Sequence, residues 1–306
     1  MTRASVHGWA ATAHADGASM PAPSLTRSLT LALLLALLPM SLPAAGFDHH
    51  HRTWDALLRR HVHDSADRTS SRLDYAGVAT ERDRLHQYLD ALQAVTPEDY
   101  RSFDRDQRLA FLINAYNAFT VESILRHYPR IDSIRAIGGL FGNPWRIRFF
   151  RLLGVPRHLD DIEHGLIRQP GVFDEPLIHF AVNCAAADCP PLRNEAYVAG
   201  RLDQQLRDQT LRFLGHRAIN RLDAEAQRVW VTPLLDWYAG DFGGERGVRA
   251  WLAEHGEWLG LDPEQQRQLA AGTLTVAFTD YDWTLNDIHS AEERAVLIDY
   301  LDRTTQ

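Results

Sequence analysis

The chain has 306 residues, of which 32 are basic and 40 are acidic, and its formal net charge at pH 7 is −8. This acidic balance argues against nucleic acid or an anionic membrane surface as a partner. The length is sufficient for one large domain with its own hydrophobic core, and we expect a single domain.

The N-terminal region has the pattern of an export signal. Arg27 precedes an apolar run from Leu29 to Leu42, and small residues follow at 43–46. This order is typical of a cleaved signal peptide, and the apolar run is shorter than the roughly 20 residues of a membrane span. We therefore expect residues 1–46 to contain a signal peptide. We expect residues 1–19 to be an extension that results from a start codon assigned too far upstream. An uncleaved anchor is the alternative.

After cleavage, residues 47–306 would form one globular domain. It would act in the periplasm or outside the cell, and it would meet the membrane only during export.

Hydrophobic spacing predicts mainly helices after this leader. Short amphipathic helices are expected at 54–62 and 85–92, and Thr96-Pro97-Glu98 is typical of a helix start. The segment from Asp104 to His127 is apolar on nearly every side. Such a helix belongs in the interior, so we expect this segment to be the central buried helix of the molecule.

Two asparagines lie on one face of that central helix. Asn114 and Asn117 are three residues apart, and a buried amide without a partner costs on the order of 1–3 kcal/mol. They therefore need hydrogen-bond partners in the fold. Either they tie down a neighbouring loop, or they line a pocket and orient a catalytic group.

Shorter elements are predicted from there to the C terminus. In the stretch 158–164 an aspartate is expected to cap a helix that ends before Pro170. The other elements expected are strands at 177–183, 228–231 and 274–278, helices at 200–214, 234–242, 248–255 and 263–271, and a last helix opened by a capping box at 290–293. Together they predict a helix-rich α+β domain with a small, mainly antiparallel sheet around a central buried helix.

Both cysteines lie in one short segment beside a histidine and an asparagine. Cys184 would be a nucleophile if a histidine lowered the pKa of its thiol and a donor stabilised the oxyanion. On a strand, His179 and Asn183 would point to the face opposite Cys184. This alternation makes His164 the better base, with Asn117 or Asn183 as the group that orients it.

Two other interpretations of the same segment compete with the nucleophile. An exported protein with two cysteines usually joins them, and a bond between Cys184 and Cys189 would contribute roughly 2 kcal/mol of stability. Alternatively His179, Cys184 and Cys189 could hold a metal ion with His164, although this spacing is not that of a usual zinc site. We expect no metal and no cofactor, and the sequence leaves the state of the sulfurs open.

Six motifs occur in an order that resembles the bacterial form of the domain-of-unknown-function five-four-seven family. They lie at 73–75, 112–118, 159–164, 179–184, 189–192 and 281–286, and the resemblance covers residues 54–290. It implies a site built from the asparagine helix, the segment with Glu163 and His164, and the cysteine segment. It implies no reaction.

The candidate site follows from these residues. The residues expected to be catalytic are Cys184, His164, His179 and Asn117. The residues expected to bind a ligand or shape its pocket are Asn114, Glu163, Asn183, Cys189, Asp282, Trp283 and Asn286.

Cysteine, histidine and asparagine together suit thiol-dependent hydrolysis or acyl transfer on a small amide or thioester. The partner expected is therefore an unidentified small molecule or peptide. The alternative is a non-catalytic ligand-binding module in which a structural Cys184–Cys189 disulfide shapes the cleft.

Overall fold

A computed structural model describes residues 46–139 and 142–304 of the chain. The predicted signal peptide lies outside these residues, apart from Gly46. No helix among the described residues is long and apolar enough to cross a membrane.

The described residues form helices of varied length and short strands. The helices are α1 Arg52–His61, α2 Tyr75–Thr80, α3 Arg82–Ala94, α4 Pro97–Ser102, α5 Arg105–Leu125, α6 Leu159–Ile162, α7 Leu202–Leu214, α8 Leu234–Trp237, α9 Gly244–Glu254, α10 Pro263–Ala271 and α11 Ala291–Thr304. Turns of 3₁₀-helix occur at Ile134–Gly138, Pro144–Arg146, Pro176–Phe180, Ala199–Arg201, Ala239–Phe242 and Gly256–Leu259, and Glu163–Ile167 is a π-helix.

The strands form three small sheets. They are β1 Val62–Asp64, β2 Ser71–Leu73, β3 Phe150–Leu152, β4 Val155–Arg157, β5 Arg221–Asp223, β6 Arg228–Val231 and β7 Thr275–Phe278. The pairs β1–β2, β3–β4 and β5–β6 are antiparallel, whereas β6 and β7 are parallel. The predicted helix-rich α+β class is confirmed, with the strands divided among several sheets.

The helix α5 is the centre of the larger hydrophobic core. Asp104 accepts a hydrogen bond from the backbone N–H of Gln107, whose side chain in turn accepts from Asp104, and this capping box fixes the start of the helix. Every residue from Leu109 to Leu125 is buried. The sequence predicted this central helix because its apolar residues leave no face suited to water.

The segment before the cysteines is a 3₁₀-helix and not the predicted strand. Pro176 has no N–H to donate and a fixed φ, and the Glu175 carboxylate accepts from the backbone N–H of Leu177 at 3.1 Å. These local bonds favour a tight turn over a ladder. The expected alternation of His179 and Cys184 across a strand is therefore wrong.

Two predicted helix boundaries also differ. The helix near 160 is capped by His158, whose Nδ1 accepts from the backbone N–H of Asp161 at 3.0 Å, and not by an aspartate. The helix expected at 234–242 is divided at Tyr238 into α8 and a 3₁₀ turn that ends at Gly243, where φ is 87°.

Candidate functional site

Several predicted site residues meet at one cavity of about 250 Å³. Its polar and reactive lining residues include Asp160, Glu163, His164, His179, Cys184 and Cys189. Its aromatic lining residues are Tyr116, Trp145, Trp237, Tyr238, Tyr281 and Trp283. The fold thus brings the cysteine segment, the Glu163–His164 pair and the 281–283 motif together around one small space.

The asparagines of α5 hold backbone and do not line this cavity. Asn117 accepts from the N–H of Asn183 at 2.8 Å and donates to the carbonyl of Ala181 at 3.0 Å. Asn114 likewise accepts from the N–H of Tyr197 at 3.1 Å and donates to its carbonyl at 2.7 Å. Of the two interpretations, these hydrogen bonds favour the one in which the asparagines tie down neighbouring loops, since both ends of the Asn117 amide are bonded to backbone.

A second asparagine network closes the cysteine loop. The Asn183 side chain accepts from the N–H of Ala185 at 2.9 Å and donates to the carbonyl of Pro190 at 2.8 Å. Asn286 donates to Asn183 at 3.3 Å and accepts from the Tyr75 hydroxyl at 2.8 Å. These bonds join both ends of the loop that carries the sulfurs.

Ala185 has a strained backbone directly after Cys184. Its φ of 64° lies in the left-handed region that non-glycine residues rarely adopt. The N–H of Ala185 is held by Asn183, and its carbonyl accepts from the N–H of Asn286 at 3.0 Å. The surrounding amides therefore impose a turn that fixes the direction of the Cys184 side chain.

The two sulfurs touch without being bonded. Cys184 Sγ and Cys189 Sγ are 2.6 Å apart, whereas a disulfide bond is about 2.05 Å long. The predicted structural disulfide is therefore not present. Both cysteines line the cavity, but Cys184 is partly exposed and Cys189 is only 7% exposed, so Cys184 is the more accessible of the two.

The surroundings of the two thiols shift their pKa values in opposite directions. Burial raises the pKa of Cys184, but hydrogen bonds from Cys189, Tyr281 and the Ala186 backbone outweigh it and lower the pKa overall. For Cys189, burial and the neighbouring Cys184 sulfur raise the pKa well above its usual range. Cys184 is therefore the thiol that ionises first.

His179 lies between a carboxylate and an aromatic ring. Its Nε2 is 2.7 Å from Oδ2 of Asp241, and its ring stacks on Tyr238 with centroids 3.8 Å apart. Since a carboxylate only accepts, Nε2 carries the proton and Nδ1 holds a lone pair. The buried Nδ1 has no hydrogen-bond partner among the described residues.

Burial lowers the pKa of His179 to about 4, against the opposing effect of Asp241. The imidazole is therefore neutral at pH 7. The hydrogen bond from Arg168 is the largest cause that lowers the pKa of Asp241, and the bond from His179 adds to it. Burial acts in the opposite direction, and the pKa is about 2. An ionised Asp241 thus faces a neutral His179 whose Nδ1 can accept a proton.

His164 is not placed to act as the predicted base. Its Nδ1 is 2.6 Å from Nη1 of Arg168, which can only donate, so this nitrogen's lone pair is already used. The other nitrogen faces Asp160 at 3.9 Å, and 44% of the side chain is exposed. Among the described residues, neither His164 nor His179 makes a hydrogen bond to a cysteine sulfur.

The remaining predicted site residues differ in burial and in whether they line the cavity. Glu163 begins the π-helix and is 4% exposed, and Trp283 lines the cavity. Asp282 is exposed and accepts from the N–H of Thr284 at 2.9 Å, so it stabilises a turn. No three of the described histidines, cysteines and acids are grouped to hold a metal ion.

Three residues that matter at the site did not appear among the predictions. Arg168 and Asp241 form a two-point ion pair at 2.6 and 2.9 Å, and the Tyr281 hydroxyl is 3.3 Å from Cys184 Sγ. Tyr281 belongs to the same motif as Trp283, and Arg168 is four residues after His164. Those positions were available signals, whereas Asp241 has no local pattern that marks it.

Lowering the pH from 6.5 to 4 is expected to reduce the free energy of unfolding. Burial lowers the pKa of His51 to about 3 and that of His179 to about 4, from an ordinary 6.5. The unfolded chain therefore binds these protons first. Each histidine contributes up to about 1.4 kcal/mol of lost stability per pH unit in that window.

Urea denaturation at pH 7, 6 and 5 checks this expectation. His51→Gln should have a shallower dependence on pH than the wild type, and exposed His63→Gln should keep the wild-type dependence. Equal slopes in all three proteins would contradict it.

A family model described as "Protein of unknown function, DUF547" matches residues 100–214. The match includes the motifs at 112–118, 159–164 and 179–192, and it supports the resemblance drawn from them. No curated protein and no solved structure matches the chain significantly. The description of the matched family states no activity, so the chemistry rests on the residues themselves.

Proposed function

We propose that the protein is a thiol-dependent hydrolase or acyl transferase that acts on a small amide or thioester. The observation that carries this proposal is that Cys184 and His179 line one cavity. Cys184 has a lowered thiol pKa, and His179 offers a buried, unpartnered Nδ1 while Asp241 holds its Nε2. A nucleophile, a base and a group that orients the base are the parts that acyl transfer needs.

In the first step, the Cys184 sulfur attacks the carbonyl carbon and its proton passes to Nδ1 of His179, directly or through one water. The tetrahedral intermediate then expels the leaving group, which takes that proton. Water next attacks the acyl thioester, and His179 transfers the proton of this water to the departing sulfur. One amide or thioester and one water thus give one acid and one amine or thiol.

Tyr281 and Cys189 serve as donors in this scheme. Burial raises the pKa of Tyr281 well above its usual range, as it does for Cys189, so both groups stay protonated. The Tyr281 hydroxyl lies 3.3 Å from the nucleophilic sulfur. It is therefore a donor within reach of the oxyanion that forms on the attacked carbonyl.

Labelling with iodoacetamide over a pH series tests the nucleophile. Native Cys184 should react before Cys189 and at a lower pH than a free cysteine, because hydrogen bonds stabilise its thiolate. Cys184→Ala should abolish both the fast labelling and the hydrolysis of a small thioester. Cys189→Ala should still be labelled at Cys184 but only at higher pH, because a hydrogen bond that lowers the pKa of Cys184 is lost. Peptide mass spectrometry locates the label.

The same experiment addresses the binding-module alternative. If neither sulfur reacts before reduction, the cysteines are bonded in the purified protein and the nucleophile is wrong. A ligand-binding module with a disulfide at its rim would then be the better account.

The contact between the sulfurs favours a second candidate function, which is dithiol–disulfide exchange. Cys184 would attack a low-molecular-weight disulfide, and Cys189 would displace the mixed disulfide. The pair loses two electrons and two protons, and the small disulfide becomes two thiols. Oxidation of both cysteines by glutathione disulfide, with two glutathione thiols released per chain, would support this exchange. Because both functions use Cys184, this oxidation should also abolish thioester hydrolysis, and full retention of hydrolysis in the oxidised protein would show that Cys184 is not the hydrolytic nucleophile.

We also propose that the protein is exported, on the strength of the charge and apolar pattern at 27–46. Fractionation of cells should find the processed chain outside the cytoplasm. An unprocessed chain that still carries residues 20–46 and is found in the cytoplasm would contradict export.

A further inference from the structure

The wall of the cavity at Cys184 is acidic and aromatic. It contains Asp160 and Glu163 but no arginine among its lining residues. Every one of the 32 basic residues in the chain is an arginine. The nearby Arg168 is committed to Asp241, with two contacts of 2.6 and 2.9 Å. The guanidinium groups of Arg168 and Arg135 lie 4.8 and 5.3 Å from the ring centroids of Tyr238 and Trp283, but neither arginine is among the lining residues. The carboxylates of Asp160 and Glu163 therefore give the lining itself a negative charge.

Glu163 is the more buried of these two carboxylates. The Tyr238 side chain hydrogen-bonds to this carboxylate, but one of its two oxygens is left without a partner. The side chain of Glu163 is 4% exposed, and its buried Oε1 has no hydrogen-bond partner in the described part of the chain. Among those residues, no arginine or histidine lies within 4.0 Å of this carboxylate. A buried carboxylate is costly unless it is paired, so this oxygen is suited to a donor or a cation supplied by a ligand.

Aromatic rings surround that carboxylate. Burial raises the pKa of Tyr238, and the nearby charge of Glu163 raises it further, as it does for Tyr116. Above them, Trp237 and Trp283 stack with centroids 5.8 Å apart. Trp145 meets Trp283 edge to face at 5.7 Å.

Ring faces beside a carboxylate are the surroundings that stabilise an ammonium group. A neutral apolar ligand would leave Oε1 of Glu163 without a partner, and an anionic ligand would be repelled by the carboxylate. Trp237 is 48% exposed, so the rings also form an open rim through which a ligand can enter.

We propose that this cavity binds a small ligand that carries an ammonium group, with the cation held by Glu163 and the surrounding aromatic faces. The binding step does not require Cys184. Its extension, that the substrate is a cationic amide or thioester, rests on the proposed function. Asn183 and Pro190 place the cysteine loop on one wall and Glu163 occupies another, so one ligand can meet both groups.

Choline and its neutral isostere 3,3-dimethylbutan-1-ol test the charge at nearly constant shape. Both are titrated into the intact protein, and binding is followed by calorimetry and by the fluorescence of the cavity tryptophans. Choline should bind at least tenfold more tightly than the isostere. Equal affinities, or no binding of either compound, would overturn the inference.

Glu163→Gln keeps the shape of the side chain and removes its charge. It should remove the preference for choline, and the exposed Glu264→Gln on α10 is the matched control that should keep it. A preference that persists in Glu163→Gln would also overturn the inference. Circular dichroism of each variant confirms that it is folded.

A pair of thioesters separates this inference from the proposed function. Acetylthiocholine and 3,3-dimethylbutyl thioacetate differ in charge but not in the reacting carbonyl. Cleavage of the cationic ester at least tenfold faster supports both proposals. Equal cleavage of the two esters overturns the cationic preference and leaves the hydrolase standing. Choline binding without any cleavage supports the ammonium site and overturns the hydrolase on these esters.

Discussion

Asn183→Ala is expected to destabilise the protein by about 3 kcal/mol or more, because it leaves several buried groups without partners. Asn183 is 4% exposed and makes three side-chain hydrogen bonds, to Ala185, Pro190 and Asn286. Without the amide, the N–H of Ala185 and the carbonyl of Pro190 lose their hydrogen-bond partner. Because these groups close the cysteine loop, the loss also frees the strained turn after Cys184.

Chemical denaturation measures this loss, with Asn194→Ala as the matched control. The Asn194 side chain is partly exposed and makes a single hydrogen bond of 3.2 Å, to Asp64. Its removal should cost about 1 kcal/mol. If Asn183→Ala were no more destabilising than Asn194→Ala, the asparagine network would not be what holds the loop.

The parts of the fold that the sequence predicted are those fixed by local pattern. The central helix α5 was predictable because its apolar residues cover the whole circumference, and only an interior position buries them all. The helix α10 was predicted within its observed bounds because Asp262, Pro263 and Gln265 give a strong start and Gly272 ends it. Each signal lies within a few residues of the element it controls.

The errors occur where packing outweighs local composition. Apolar residues at 177–183 suggested a strand, but Glu175 and Pro176 direct that backbone into a tight turn. The π-helix at 163–167 has no sequence signature of its own, because its wider turn depends on neighbouring packing. That wider turn places Glu163 in the interior and leaves His164 partly exposed.

The choice of catalytic histidine shows the same limit at the site. The preference for His164 over His179 as the base depended on a strand that does not form. Asp241, which fixes the tautomer of His179, is 62 residues away in sequence. One signal was available, since Arg168 follows His164 by four residues and shares its helix face. That spacing indicates a paired histidine, which is a poor base.

Asp241→Asn is expected to lower kcat for thioester hydrolysis by about 10²-fold or more, with little change in KM, since this residue acts through His179. The carboxylate only accepts, so it holds the proton on Nε2 and keeps the lone pair on Nδ1. An asparagine can instead donate to Nε2. The proton then moves to Nδ1, and His179 can no longer accept the proton of Cys184.

Nitrogen-15 chemical shifts of the histidine rings report this exchange of tautomers independently of turnover. The wild type should show His179 with its proton on Nε2, and Asp241→Asn should show a shift towards the Nδ1–H form. Asp236→Asn changes an exposed acid on α8 and should leave both kcat and the shifts unchanged. A fall in kcat with no change of tautomer would mean that Asp241 acts by holding Arg168 and the cavity wall, and the assignment of His179 as the base would fail with it.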